Sequence, residues 1–517
     1  MGSKSFGNLG LKTSTAGSSV TTNSDHTTAT AIPDKKGSRA YRWLRWNFGS
    51  VYRRIFAVAF FANLAVLVGL AAAHRTVDES YLTYDACATA VSSNLLVSLI
   101  VRNEHFVNTI FFLFGHLPKR APLGVRRVIA KVYSYGGLHS GCNVSATVWY
   151  MLYLILLTQS YLQTKMSALQ IVVLAFSYTI ICLLVAILVC AHPHMRGRFH
   201  NSFENTHRFF GWSIILLFWT VVLLLARVSA VEQDTSMGAA AIRIPSFWNL
   251  IFISLLVVYP WLNLRLREVE TEVLSSHAAE FKFKHANVQY GQAVRLSDAP
   301  LRETHAFAVI PNVASSAPSG PSSQNSSSTD LEKQAPPAPP TAGDKGFSIL
   351  MSNAGDWTKR MIQDPPKKIW IRGLPQFGVI RVAGLFRPVT IVATGSGIGP
   401  CLSLFVQTPD HPVRIIWSAR SPETTYGKKV IDVVRRADPH ALILDTKTYG
   451  RPDLVTLAYR KWAGQEDNGT EGCEGDDKKP RPKSEAVVII SNQKVTEKVV
   501  YGLEARGVPA YGAIFDS

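Results

Sequence analysis

Residues 390–400 read Thr-Ile-Val-Ala-Thr-Gly-Ser-Gly-Ile-Gly-Pro, an apolar strand that runs into a glycine-rich turn. Gly395, Gly397 and Gly399 let the backbone approach a pyrophosphate, and the N–H groups that follow point at it. With Thr394 they are the candidate phosphate-binding residues. A lone Gly-x-Gly-x-Gly also describes many tight turns. Here it opens a βαβ pattern and lies behind several membrane-length apolar segments, a pairing that suggests electron transfer at a bilayer. Further on, Ser418-Ala-Arg-Ser follows the second strand. A guanidinium at Arg420 can fork onto a ribose 2′-phosphate, which favours NADPH over NADH. Otherwise Arg420 is a solvated surface side chain. Tyr426 is a candidate to stack on adenine.

The elements that must position these residues begin in the bilayer. Six apolar stretches approach the roughly 20 residues a span requires: 54–73, 85–102, 138–161, 168–191, 210–229 and 246–264. Ser92, Ser93 and Asn94 interrupt the second. The net charge of +18 could suggest a nucleic-acid partner, but many basic residues flank the apolar runs. Arg42, Arg45, Arg53 and Arg54 precede the first, and Arg126, Arg127 and Lys131 precede the third. That is the positive-inside pattern, and it predicts an integral multi-pass protein with both termini cytosolic and no nucleic-acid role. Hydrophobic content of 47% against 17% charged suits a chain that is part membrane and part soluble. Six scattered cysteines give neither a disulfide framework nor a zinc spacing. The Asn-x-Ser/Thr triplets at Asn325 and Asn468 face the cytosol in this topology and stay unmodified.

The composition assigns 1–40 to a disordered tail, 41–272 to a six-helix membrane domain and 273–385 to a β-rich domain. Residues 386–517 form an α/β domain with a parallel sheet. Ser/Pro/Ala-rich residues 313–342 and polar residues 464–484 read as disordered insertions.

The β-rich domain resembles the flavin barrels of the ferredoxin-reductase family. Pro300-Leu-Arg-Glu-Thr-His-Ala-Phe-Ala is similar to the family's His-Pro-Phe-Thr strand, which lies along the isoalloxazine ring. The resemblance implies a β-barrel FAD domain in which His305 and Phe307 hold the flavin. An ordinary amphipathic strand is the alternative. Asn353-Ala-Gly-Asp-Trp-Thr resembles the segment where a helix start binds the flavin pyrophosphate, implicating Gly355 and Thr358. A plain helix cap at Asn353 or Asp356 reads the same residues. Arg372-Gly-Leu-Pro-Gln-Phe-Gly resembles the turn before the nucleotide domain. Related reductases end their last core strand in small residues that guide the nicotinamide, whereas here Ile489-Ile490 leads to Ser491-Asn492-Gln493. Ser491 can still hydrogen-bond near flavin N5. Phe515, close to the final residue, matches the aromatic that covers the flavin face. Ser491 and Phe515 are therefore the candidate catalytic residues, although the altered strand end puts hydride transfer in doubt.

Ferric reductases and NADPH oxidases, which the membrane segment also resembles, hold two stacked haems between His pairs about 20 Å apart along two helices. This chain offers His139 and His207 at the cytosolic starts of the third and fifth segments. The outward partner positions carry Leu152 or Tyr153 and Thr220 or Val221. The resemblance thus implies one inner haem b on His139 and His207, without transmembrane electron transfer. Polar anchors at the membrane interface are the alternative.

Gly136-Gly-Leu-His-Ser-Gly, Phe203-Glu-Asn-Thr-His-Arg-Phe-Phe-Gly-Trp, Gly355-Asp-Trp-Thr and Gly450-Arg-Pro-Asp-Leu together look like the TmpA-type transmembrane flavoproteins of filamentous fungi. That resemblance implies a membrane oxidoreductase using FAD and NADPH or NADH. It would act on a small metabolite or signal at the cytosolic leaflet, in asexual sporulation (conidiation) or secondary metabolism. It also implies association with an adenylate-forming enzyme. A nucleotide-sensing membrane scaffold that no longer turns over is the other class of reading.

Overall fold

The computed structural model describes residues 32–76, 81–115, 117–118, 120–163, 165–312, 346–465 and 481–514, without the side chains of residues 74–76 and 200. The expected insertion 313–342 and most of the expected tail and of 464–484 lie outside these residues.

The helical region begins with α1 (Arg39–Asn47), α2 (Val51–Thr76), α3 (Tyr84–Ile100) and α4 (Glu104–Gly115). Next come α5 (Leu123–Ile129), a 3-10 segment (Ala130–Tyr135) and α6 (Gly136–Leu162). α7 (Ala168–Ala191), α8 (Pro193–Arg198), α9 (His200–Glu232), α10 (Met237–Arg243) and α11 (Pro245–Leu262) complete it. Caps mark the starts: Thr83 accepts from the Ala86 N–H, and Ser167 and Gln170 form a capping box. Gly137 and Gly141 let α6 approach α2, because a Cβ on Gly137 would lie 2.2 Å from the Tyr52 carbonyl oxygen. Asn63 and Asn94 bond reciprocally at 3.0 and 2.7 Å between α2 and α3, so neither amide is left unpaired among apolar side chains.

Among the described residues, five helical stretches are long and apolar enough to cross a membrane: Val51–Ala73, Leu123–Leu162, Ala168–Ala191, Asn201–Glu232 and Pro245–Leu262. The expected second span is instead a pair, α3 and α4, bent by 61°. The bend follows from Arg102-Asn103-Glu104. Glu104 is buried, accepts from the Leu374 N–H at 2.9 Å and pairs with Arg295 at 3.4 Å. α4 thereby leaves the helical bundle and enters the sheet region, where Val107 and Phe111 join the core around Phe377 and Val382. Asn108 fixes the register by donating to the Pro375 carbonyl at 2.9 Å and accepting from the Phe377 N–H at 3.1 Å.

The β-rich domain holds β1 (Arg265–Glu268), β2 (Glu270–Ser275), β3 (Ala278–Phe283), β4 (Gln292–Ser297), β5 (His305–Ala308), β6 (Ile310–Pro311), β7 (Phe347–Ser352), α12 (Asp356–Gln363) and β8 (Lys368–Phe377). The expected barrel is two antiparallel four-stranded sheets, β1-β8-β4-β5 and β2-β3-β7-β6. The chain switches sheets at Val269 between β1 and β2 and at Val309 between β5 and β6, so closure of a single ladder is replaced by two faces on one core.

The last domain contains β9 (Val389–Thr394), α13 (Ile398–Gln407), β10 (Val413–Ala419), α14 (Pro422–Tyr426), α15 (Lys428–Ala437), β11 (Leu442–Asp445), α16 (Thr446–Tyr449), α17 (Leu454–Ala463), β12 (Ala486–Ile490), α18 (Gln493–Glu504) and β13 (Ala510–Gly512). Its five strands are parallel in the order β11-β10-β9-β12-β13, so β9 is central, between β10 and the wholly apolar β12. The basic segment before α6 grips this domain. Arg126 forks onto Glu485 at 2.5 and 2.9 Å, and Lys131 pairs with Glu504 at 2.8 Å. From the other end of the chain, the Lys36 N–H donates to the Ala505 carbonyl at 2.8 Å. Lys35 and Lys36, expected to belong to the tail, are therefore packed on the parallel-sheet domain. The chain enters α2 from the same side on which it leaves α11.

Candidate functional site

Central strand β9 delivers Thr394 to the carboxyl edge of the sheet, where open α/β folds bind their ligands. Gly395 turns there with φ +52, a conformation side-chain-bearing residues rarely adopt. The Trp417 indole donates to the Gly395 carbonyl at 3.0 Å and fixes the turn. Gly397 passes directly over the end of β12, and α13 starts at Ile398, whose N–H bonds back to the Ser396 carbonyl, while the next N–H groups of the first turn have no partner within the helix. Gly399 faces Leu350 of β7, with a Cβ position 3.5 Å from the Leu350 Cβ.

The Thr394 and Ser491 hydroxyls are hydrogen-bonded across the ends of β9 and β12. Asn492 next to it caps α18 by accepting from the Val495 N–H at 3.1 Å. The departure at Ser491-Asn492-Gln493 thus has a local cause, since these residues start a helix. Arg420 is exposed at the carboxyl end of β10. The following Ser421 adopts φ 43 and donates its N–H to Asp445 at 2.8 Å. Tyr426 is buried with its ring 5.5 Å from that of Trp417, and burial pushes its hydroxyl up to about 12. It packs under the glycine turn and presents no free face for adenine. Phe515 lies outside the described residues.

The flavin-like elements meet around α12. Gly355 precedes the helix with extended backbone, and a Cβ on it would meet nothing within 4 Å. Thr358 Oγ1 accepts from the Ala354 and Gly355 N–H groups at 2.9 and 3.0 Å. Asn353 and Asp356 are therefore not the cap. The N–H groups of a helix's first turn lack intrahelical partners, and here they adjoin an open cradle, which is what an approaching phosphate needs. A flavin pyrophosphate fits here on that open space. His305 and Phe307 of β5 lie opposite Leu296 and Val294 of β4, on the core side of the sheet. Their rings stand 4.4 and 5.9 Å from that of Trp357. Trp357 shares α12 with Thr358, so the residues expected to hold the ring and the pyrophosphate are brought together, with Trp357 between them.

In the helical bundle, the His139 and His207 rings face each other with centroids 6.4 Å apart. Two imidazoles on one iron, at metal–nitrogen distances of about 2 Å, hold their centroids about 6 Å apart. His139 Nδ1 lies 3.0 Å from both the Ser98 carbonyl oxygen and the Ser98 hydroxyl, which leaves Nε2 directed into the bundle. Asn143 Nδ2 is 3.3 Å from that Nε2. His207 is exposed. The ring spacing and the Ser98 contacts to Nδ1 suit one iron between these residues, whereas the Asn143 amide stands on the nitrogen that would ligate it and would have to turn aside. Further along the helices, Tyr153 and Val221 are buried and line an apolar cavity of about 40 Å³ with Tyr150, Phe218, Leu250 and Ile253.

Sequence reasoning missed Ser98, Asn143, Trp357 and Glu104. Ser98 and Asn143 were hidden inside apolar runs, whereas Glu104 was readable as a lone carboxylate after an apolar stretch. It read Arg372 only as the start of a turn, whereas its guanidinium stacks on Trp261 at 4.8 Å at the boundary between the helices and the sheets. Burial, reinforced by neighbouring Arg295 and opposed by Glu104, brings its guanidinium down to about 10, still charged at neutral pH.

The family described as "Adenylate-forming reductase 03009, C-terminal domain" matches residues 379–468 and 478–517, the glycine turn and both sheet edges included. Adenylate-forming reductase 03009 of Coprinopsis cinerea is 36% identical over 487 residues, 94% of this chain and 42% of that protein. Adenylate-forming reductase 06235 of the same fungus is 35% identical over 489 residues, again 94% and 42%. This chain thus spans under half the length of the curated relatives it matches. They are adenylate-forming reductases, not the TmpA-type flavoproteins the motifs suggested. Among solved structures, a ferredoxin NADP+ reductase from Neisseria gonorrhoeae with bound FAD and NADP aligns with 48% of this chain and 99% of its own. It is 12% identical with a TM-score of 0.34. Flavohemoglobin from Malassezia yamatoensis aligns with 83% and 98%, at 12% identity and a TM-score of 0.35.

Proposed function

We propose that this chain is a membrane-bound oxidoreductase that takes reducing equivalents from NADPH through FAD. The observation that carries the reading is the convergence of two phosphate cradles on one strand. β7 passes Gly399 at Leu350 and ends three residues before Gly355. Two nucleotide phosphates bound at Gly395–Gly399 and at Gly355–Thr358 would therefore share a wall. FAD held by Gly355 and Thr358 would supply the hydride-accepting chemistry that links a two-electron nicotinamide to one- or two-electron acceptors. Thr394 and Ser491 hold the floor at the strand ends, Arg420 takes the 2′-phosphate, and Trp357 with His305 and Phe307 walls the flavin.

In this reading the chain crosses the membrane six times, with α3 as the short second crossing, and both termini are cytosolic. The contact between residue 36 and α18 supports an even number. His139 and His207 hold one haem at the inner leaflet, and the acceptor is a small molecule on the cytosolic side. The similarity to adenylate-forming reductases supports an adenylate-forming enzyme as the partner that supplies it; nucleic acid is not one. The cap at Asn492 favours a second reading, a nucleotide-sensing scaffold.

The test is NADPH oxidation by FAD-supplied proteoliposomes, with ferricyanide either outside or trapped inside. Reduction of the external pool alone supports the proposal. Nucleotide binding without oxidation supports the scaffold, and His139-dependent reduction of the trapped pool contradicts the inner-leaflet acceptor.

A further inference from the structure

We infer that α1 is an interfacial strap that lies on the anionic cytosolic leaflet and ties the nucleotide-binding domain to it. The inference rests on the membrane-spanning reading of α2. One side of α1 and its lead-in is docked on α18. The Trp46 ring stands 5.0 Å from that of Tyr501, Lys35 Nζ lies 4.7 Å over the same ring, and the Lys36 N–H bonds the Ala505 carbonyl. Ser38 caps the helix by accepting from the Tyr41 N–H at 3.1 Å. Arg42 closes the lead-in onto the Gly37 carbonyl at 2.5 Å.

The other side is bare. Tyr41, Leu44 and Phe48 follow one another at helical spacing and are 57%, 56% and 58% exposed. Trp43 beside them is 59% exposed. A cluster this large and aromatic is costly in water and marks a docking face. The occupant follows from the chain itself. Only Phe48, Gly49 and Ser50 separate α1 from α2, a reach of at most about 14 Å, so the C-terminal end of the cluster stays close to the start of the spanning helix. Residues 34–54 carry seven basic side chains against one acid, Asp34. Of these, Arg39, Arg45, Arg53 and Arg54 are exposed. An aromatic stripe with a basic flank next to a spanning helix suits an anionic phospholipid surface. Lys131 pairs with Glu504 at the same C-terminal end of α18, so that end is held by two segments that adjoin spanning helices. The helix's cap residue Asn492 adjoins Ser491 in the candidate site.

Nitroxide accessibility in proteoliposomes of the full chain tests this. Cys182, Cys190 and Cys473 are replaced by serine, and a single label is placed at Leu44→Cys. Reference labels go at Val66→Cys on the outer face of α2 and at Asp410→Cys in the soluble region. In phosphatidylcholine vesicles containing phosphatidylserine, the Leu44 label should favour oxygen over a nickel chelate several-fold more than the Asp410 label. Omitting phosphatidylserine, or combining Arg39→Gln with Arg45→Gln, should shrink that ratio without moving Val66. A Leu44 label as wet as Asp410, or shielded from both colliders by protein, would overturn the strap while a lipid-immersed Val66 upholds the spanning reading. An aqueous Val66 label would overturn both.

Discussion

Gly397 lies against Ile490: a Cβ built on it would stand 2.2 Å from the Ile490 carbonyl oxygen. Its own φ of −58 is ordinary, so the need for glycine is purely one of space. Gly397→Ala forces the phosphate turn off the end of β12. Overpacking of this kind costs about 1–3 kcal/mol. The melting temperature should fall and NADPH binding should weaken at least tenfold, measured by thermal unfolding and by nucleotide titration.

Gly355 is the opposite case. Its Cβ direction is empty and its backbone extended, so Gly355→Val should leave the melting temperature of the FAD-free protein nearly unchanged. The side chain would occupy the space a pyrophosphate needs. Retention of FAD through gel filtration should be lost, and equal retention by the variant would remove Gly355 from the site.

Arg420 is exposed at the sheet's carboxyl edge and free to swing onto a 2′-phosphate. Arg420→Ala should cost NADPH about 1.5–3 kcal/mol of affinity, the range for a charged hydrogen bond, which is roughly tenfold or more. NADH affinity should be untouched. Equal losses for both nucleotides would reject the assignment.

The contact between the helical bundle and the nucleotide domain is tuned by pH through Glu485. Burial alone would raise its carboxyl, but hydrogen bonds from Arg126 and the Arg387 N–H, with the Arg126 charge, hold it below the ordinary carboxylate value. A depressed acid contributes stability that is complete above the unfolded value of about 4.3 and is lost as pH falls through the folded one. Wild type should therefore lose stability relative to Glu485→Gln on acidification below that value. At neutral pH, Glu485→Gln should be less stable by about 1.5–3 kcal/mol. Unfolding curves across pH for the two proteins check this.

The parts of the fold visible in the sequence were those set by local pattern. Thr394–Pro400 combined an apolar strand with forced glycines, and it sits at the sheet edge where that pattern places it. The long apolar runs of α2, α6, α7, α9 and α11 were readable for the same reason. What failed depended on distant partners. The bend after α3 arises because Glu104 finds the Leu374 N–H and Arg295, both more than a hundred residues away. Tyr426 looked available for stacking because nothing local shows that α14 turns it under Trp417. The sheet switches at Val269 and Val309 have no glycine or proline to announce them. Residues 34–40 read as tail by composition, yet Lys36 finds a partner at Ala505 through tertiary placement.

The His139–His207 spacing makes its own demand. If one iron sits between the rings, haem-supplied protein should show a Soret band that His139→Ala and His207→Ala each abolish. Asn143→Leu should retain the band, because it removes an amide that competes with iron for the His139 Nε2 lone pair and is not itself a ligand. A band that survives both histidine variants would place any haem elsewhere.

The central claim is that NADPH reduces a flavin held between Gly355 and the Thr394–Pro400 turn. Anaerobic stopped-flow absorbance of the FAD-loaded, detergent-purified chain tests it most directly. The account predicts that NADPH bleaches the flavin band near 450 nm, and that Gly397→Ala slows the bleaching at fixed NADPH by at least tenfold. An FAD-loaded protein that binds NADPH and keeps its oxidised flavin spectrum would contradict it.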